Sequence, residues 1–249
     1  MNREVIFELS AETLQACLAA GQGGAARIEL CSALSEDGLT PSHSLIEAAV
    51  QRSGLPIHVL LRPRSGGFVY TADEFALIRE DLLHARSLGV SGFVVGVLHP
   101  DATVDIERTR ELVDLAGALE TTFHRAFDLT PSFEQALEDV IATGCRRLLT
   151  SGGASDVVAG APTLARLVDR AAGRIDVAPG GGLRVENAAT IARITHASHF
   201  HGSMRRRRSA AASAQRSGVL SSAEHDVYIV DPEDIRAVIR ELRLAESKI

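Results

Sequence analysis

The chain has 249 residues, 45% of them hydrophobic and 23% charged, which is an ordinary composition for a soluble globular protein long enough to bury its core without disulfides. Its formal net charge of −6 argues against nucleic acid as a partner, because a phosphate backbone rewards a basic surface. No apolar run approaches the roughly 18 residues of a membrane span.

Short β-rich runs alternate with longer helical patterns along the whole chain. VIFEL (5–9) precedes a helical stretch from Ala11 to Ala20, and RIEL (27–30) precedes a helix opening at Pro41-Ser42. HVLL (58–61) leads to a helix from Ala72 to Leu88, and GFVVGV (92–97) to one from Asp105 to Ala116. TTFH (121–124) leads to Ser132–Thr143, RLLT (147–150) to Ala161–Ala171, and IDVA (175–178) to Glu186–Ile194. HFHG (199–202) comes last, before an Arg/Ser/Ala-rich stretch (203–218) that reads as a long loop and a final helix from Pro232. Gly21, Gly89, Gly144 and Gly173 fall where helices should end, and Pro131 and Pro232 fit first-turn positions. Strand–helix alternation repeated eight times predicts an α/β fold, a (β/α)8 TIM barrel, as a single domain over 1–249 with an additional C-terminal helix. A doubly wound open sheet is the rival; eight similar units without a long interruption close more naturally.

Three cysteines (Cys17, Cys31 and Cys145) fit a reducing compartment, and charges within the N-terminal dozen residues are wrong for a signal peptide, so a cytoplasmic location is expected. Lys248, beside the C-terminus, is the only lysine, which makes a lysine Schiff base implausible.

In a parallel barrel the strand side chains alternate between lumen and helices, and the C-terminal strand ends carry the active face. On that alternation Arg27, Glu29 and Cys31 point inward while Ile28 and Leu30 face the helices. Glu8, Arg62, Thr122, His124 and His201 are the inward polar members of their own strand ends. Glu8, Glu29, Arg62, His124 and His201 are therefore expected to converge on one mouth. Unit charges about 4 Å apart interact by roughly 4 kcal/mol at an effective dielectric of about 20, enough to tune a proton-transfer group. Glu8, Glu29 and His124, with Asp128 in the turn that follows, are the acid/base candidates; a structural ion-pair network is the competing explanation for each. Ligand-holding candidates are Arg62 and Arg64 of RPRSGGF, Arg125 after the fifth strand, and Ser151 and Gly152 after the sixth. Gly180, Gly181 and Gly182 after the seventh strand and Ser203 after the eighth match the place where barrels hold phosphate. Glycines needed only for tight turns would look the same. The run Arg205–Arg208 reads as a solvated loop. Cys31 could be a thiolate, a soft-metal ligand or an inert buried thiol, and no CxxC or HExxH spacing supports zinc.

The segments GGAARIELC (23–31), EDGLTPS (36–42), RPRSGGFVYTADEF (62–75), TFHRAFD (122–128), LLTSGG (148–153), GGLRVEN (181–187) and YIVD (228–231) resemble the CutC family. The resemblance implies a cytoplasmic barrel, oligomeric and in the simplest case a homodimer, linked to copper homeostasis, with Cu(I) bound through cysteines of which one matches Cys31. Two departures stand out. Leu9 occupies the place of a second family cysteine after the first-strand glutamate, and Ser65-Gly66-Gly67-Phe68 lacks an acidic residue the family carries. Cu(I) favours thiolates and thioethers, so Cys31 with only Met1 and Met204 elsewhere makes a poor intrachain site, unless His124 or His201 adds a nitrogen. Two functions remain open: copper handling through Cys31, or an enzyme acting on a small anionic metabolite by Glu/His acid–base chemistry. A scaffold for partner binding is the weakest alternative.

Overall fold

The computed structural model describes residues 4–208 and 227–245. Eight parallel strands make the central sheet: β1 Ile6–Ala11, β2 Arg27–Leu30, β3 Ile57–Leu60, β4 Gly92–Val95, β5 Glu120–Phe123, β6 Arg147–Thr150, β7 Asp176–Pro179 and β8 His199–Gly202. Seven helices alternate with them: α1 Leu14–Gly23, α2 His43–Arg52, α3 Ala72–Ser87, α4 Ile106–Ala116, α5 Phe133–Thr143, α6 Ala161–Ala171 and α7 Val185–Thr195. Each strand pairs with its successor from β1 to β7, and β8 returns to pair with β1, Glu8 opposite His201. That order is a TIM barrel. The ring is nearly closed; among the described residues no ladder joins β7 to β8. At this seam a Cβ on Gly180 would lie 2.4 Å from Leu149 Cδ1 and 3.0 Å from His201 Cβ, so only glycine lets the two strands approach.

Local sequence sets the helix starts. Thr13, Ser42, Thr71 and Ser132 each accept a backbone N–H from the first turn, and Thr71 with Glu74 forms a full capping box. Strand periodicity then divides the side chains. Phe7, Ile28, Val59 and Phe93 are almost completely buried between sheet and helices, each burial contributing about 1.5–3 kcal/mol. Their neighbours Glu8, Arg27, Glu29 and His58 fill the lumen instead, equally buried but polar.

Three expectations are corrected. Ala11 ends β1 and does not begin a helix; Thr13 caps α1, which starts at Leu14. Gly21 lies inside α1, whose left-handed C-cap is Gly24. The arginine run is no loop: β9 Arg205–Arg208 pairs antiparallel with β10 Val227–Val230, and the rest of that stretch, 209–218, lies outside the described residues. The hairpin leads into α8 Pro232–Leu244, the additional C-terminal helix, which packs on α1 and α7. No helix among the described residues is long and apolar enough to cross a membrane.

Candidate functional site at the C-terminal mouth

A cavity of about 560 Å³ opens at the C-terminal ends of the strands. Leu60 and Leu149 form part of its lining, with Glu29 and His201 on one side and Phe68 and His124 among its other walls. A larger crevice of about 680 Å³ lies at the opposite ends of β7 and β8, between α6 and α7, away from these groups.

Glu8, Glu29 and His201 form a buried triad. His201 Nδ1–H donates to Glu8 Oε1 at 2.8 Å, while its Nε2 stands 3.9 Å from Glu29 Oε1. The two carboxyls differ in their other partners. Glu8 Oε2 sits 2.6 Å from Arg27 Nε, with Arg147 at 4.0 Å behind. Burial alone would push Glu8 up, but Arg27 and His201 overcome it and hold the carboxyl at about 2. Glu29 has no guanidinium in hydrogen-bond reach among the described residues. It accepts from the Ser10 hydroxyl at 3.2 Å, and its Oε2 is buried without a partner. Burial, together with repulsion from Glu8, raises its pKa against the opposing pull of His201. His201 is itself pulled up: burial opposes its charge, but Glu29 and the Glu8 hydrogen bond outweigh that.

His124 follows β5 and turns its ring into the cavity. Its Nδ1 accepts the Ala126 N–H at 3.1 Å, which places the ring proton on Nε2. That Nε2 is buried and unpartnered. Burial, with the Arg62 charge nearby, holds the imidazole neutral, its pKa lowered to about 3. Phe68 packs 4.8 Å from the ring, and a Cβ on Gly96 would come within 2.2 Å of its Cε1.

Arg62 lines the cavity; its Nη1 and Nη2 are held by chain carbonyls, those of Glu36, Gly38 and Gly66, while its Nε is buried without a partner. It stitches the loops after β2 and β3 together. Arg64 lies outside the cavity lining; it pairs with Glu74 at 2.5 Å and covers Tyr70. Thr122 lies deeper in the barrel wall, fully buried. Asp128 is saturated: it accepts from the Thr150 hydroxyl, the Ser151 hydroxyl and N–H, the Gly153 N–H and Arg125. So engaged, it organises the turn after β6 while also lining the cavity. Arg125 is thereby held by Asp128 at 2.9 Å and Ser151 at 3.0 Å, its side chain 40% exposed on the cavity rim. Gly152 lies behind, donating to Thr150. Gly181 and Gly182 face Arg125 across the rim, both at positive φ (98° and 75°). Among the described residues no hydrogen bond within the chain takes up their N–H groups. Gly180 forms the seam below, and Ser203 lines the rim from β8. The mouth thus gathers Glu29, His124, His201, Arg125, Gly181, Gly182 and Ser203, with Glu8 one layer beneath and Arg64 and Thr122 apart.

A family model described as the CutC family matches residues 5–206. The chain belongs to the CutC family. A Chromobacterium violaceum relative, named as a family protein CutC, is 44% identical over 243 residues, covering 98% of each chain. A relative of the same name from Xylella fastidiosa is 40% identical over 97% of this chain and 90% of its own. A Streptococcus agalactiae crystal structure, provisionally called copper homeostasis protein CutC, superposes with a TM-score of 0.76 at 30% identity. It covers 80% of this chain and 98% of that one.

Copper in this CutC chain would have to be held by what surrounds Cys31, and those surroundings do not suit Cu(I). The thiol is fully buried against Leu60 and Val94, and its Sγ–H donates to the Ala11 carbonyl at 3.6 Å. Burial first, then Glu29, pushes its pKa far above the ordinary thiol value, away from the thiolate that a metal needs. The other described sulfurs lie elsewhere: Cys17 in α1, Cys145 in the core beneath α5, and Met204 after β8. Leu9, at the place of the second family cysteine, packs outward with the helix-facing core. Among the described residues the one group of three His, Cys, Asp or Glu atoms close enough to share an ion is Glu8, Glu29 and His201, which contains no sulfur.

Some of the mouth was missed in the sequence. Arg184 and Arg205 line the cavity, and Arg205 is fixed there by Glu12 at 2.9 Å and by Tyr228. Gly96 had a signal, an inward glycine in an otherwise bulky strand.

Proposed function

We propose that the chain is a barrel enzyme that moves protons on a small anionic metabolite bound at the C-terminal mouth. One observation carries this reading. Glu29 Oε2 and His124 Nε2 are a buried acceptor and a buried donor, both unpartnered, and both residues line one cavity. A polar atom buried without a partner costs about 1–3 kcal/mol, which a substrate bound in that cavity would recover. Glu29 is the proton-transfer group, with His201 positioned behind it by Glu8. Arg125 and the free N–H groups of Gly181 and Gly182 hold the anion, with Ser203 beside them. The copper role suggested by the relatives' name finds less support, because Cys31 is a lone, enclosed thiol.

Titration calorimetry separates the two. Wild-type protein should bind inorganic phosphate, and Arg125→Ala should weaken it by about ten- to a hundredfold, the worth of a charge-assisted hydrogen bond. Reduced protein should show no Cu(I) uptake that Cys31→Ala removes. Tight Cu(I) binding lost in Cys31→Ala, with no phosphate binding, would overturn the enzyme reading.

A further inference from the structure

We propose that the mouth acts on a carbonyl compound: Glu29 takes a proton from the carbon beside the carbonyl, and neutral His124 donates from Nε2 to the carbonyl oxygen. This rests on the acid–base reading above and names its substrate class.

The pairing follows from what each group has left to offer. The Ala126 N–H occupies the only lone pair of His124, at Nδ1, so the ring can act toward the cavity solely as a donor. It is also an uncharged donor, because burial and Arg62 oppose protonation. Arg62 is tied back to the loops through Nη1 and Nη2 by the carbonyls of Glu36, Gly38 and Gly66, with its Nε buried and unpartnered. Glu29 Oε2 offers the complementary acceptor. The two residues come from β2 and from the end of β5. Deeper in the barrel the same strands are bridged by Arg27 and Glu120 at 2.9 Å, so side chains from β2 and β5 do meet across the lumen. A donor and a proton acceptor lining one cavity suit a carbonyl oxygen and an adjacent acidic C–H. The rim at Arg125 and Gly181 then holds the phosphate or carboxylate of the same molecule. No lysine lies among the described residues to form a Schiff base, and a hydrogen bond to oxygen does the activating.

The step balances without a redox partner. The ionised Glu29 carboxylate accepts the proton, the C–H electron pair becomes the C=C bond of an enolate, and the carbonyl π pair moves onto oxygen. His124 Nε2–H stabilises that oxygen as its charge develops. Glu29 then returns a proton to the same carbon, which gives hydrogen exchange with retention of configuration, or, after proton exchange between the oxygens, to its neighbour, which gives isomerisation.

The test is exchange of carbon-bound hydrogen in D2O, read by proton NMR on dihydroxyacetone phosphate, ketopentose 5-phosphates and 2-oxo acids. Wild-type protein should exchange the hydrogen beside the carbonyl of at least one of these. Glu29→Gln should slow that exchange by about 10²–10⁴-fold. His124→Phe, which keeps a ring against Phe68 but removes the donor, should slow it by about 10²–10³-fold, and His124→Gln, which restores an N–H, should recover part of the loss. Absence of exchange with every compound overturns the proposal, as does a His124→Phe variant that exchanges like wild type. Phosphate binding keeps the two failures apart. Binding lost in Arg125→Ala without any exchange removes the carbonyl assignment alone; loss of both removes the anion-site reading too.

Discussion

Glu8 and Glu29 sit on neighbouring strands, are equally buried, and both approach His201, yet the barrel treats them oppositely. Glu8 belongs to the lumen floor, where Arg27 and Arg147 surround it with positive charge. Glu29 belongs to the mouth, where only the Ser10 hydroxyl and His201 address it and one oxygen is left open. The difference teaches how a lumen full of ionisable groups can be structural below and reactive above. What decides the role is whether a guanidinium faces the carboxyl, and burial is common to both. The floor spends its charges on one another; the mouth keeps a donor and an acceptor in reserve.

The sharpest way to break the comparison is to remove Arg27. Arg27→Met removes the guanidinium nearest the buried Glu8, leaving His201 and the more distant Arg147 opposite it, and should cost about 3–5 kcal/mol in denaturant unfolding. Next comes Glu8→Gln. A carboxyl held at about 2 instead of 4.5 contributes about 3 kcal/mol at neutral pH. That contribution is present above pH 4.5 and fades as pH falls toward 2, so wild type and Glu8→Gln should converge in acid. Glu29→Gln should behave in the opposite sense. Its raised pKa means that the folded chain resists the charge, so the variant should unfold at or above the wild-type temperature while activity is lost. A drop in stability like that of Glu8→Gln would erase the distinction.

A further effect is a pH slope. His58 and His124 are buried as neutral rings, with pKa values lowered to about 4 and 3. Below pH 6.5 the unfolded chain takes up protons that the folded chain refuses, so stability should fall as pH drops, by about 1.4 kcal/mol per pH unit for each ring. His124→Gln should remove one of those two slopes. His201 works the other way: its raised pKa stabilises below about 6.5, and that gain is lost as pH rises through the folded value.

Much of this was legible in the sequence. The alternation of period two in RIELC and HFHG put Glu29 and His201 inward, and chain order put them at the active end of a barrel. What could not be read was how each group spends its hydrogen bonds. Glu8 and Glu29 look alike as strand glutamates, and only the fold sets Arg27 against one of them. Asp128 looks like a free carboxylate three residues after an arginine, until the turn after β6 wraps its N–H groups around it. Arg62 and Arg64 look like a clamp, but loop carbonyls claim one and Glu74 claims the other. The arginine run read as loop because its partner strand, β10, begins 19 residues after β9 ends and no local signal links the two.

The most direct measurement is a carbon-13 NMR titration of the glutamate side-chain carboxyls in the intact protein. The account predicts that the Glu8 resonance stays ionised down through pH 4 while that of Glu29 titrates above the ordinary glutamate value, and that Glu29→Gln removes only the second transition. A Glu29 carboxyl that titrates with or below Glu8 would contradict it.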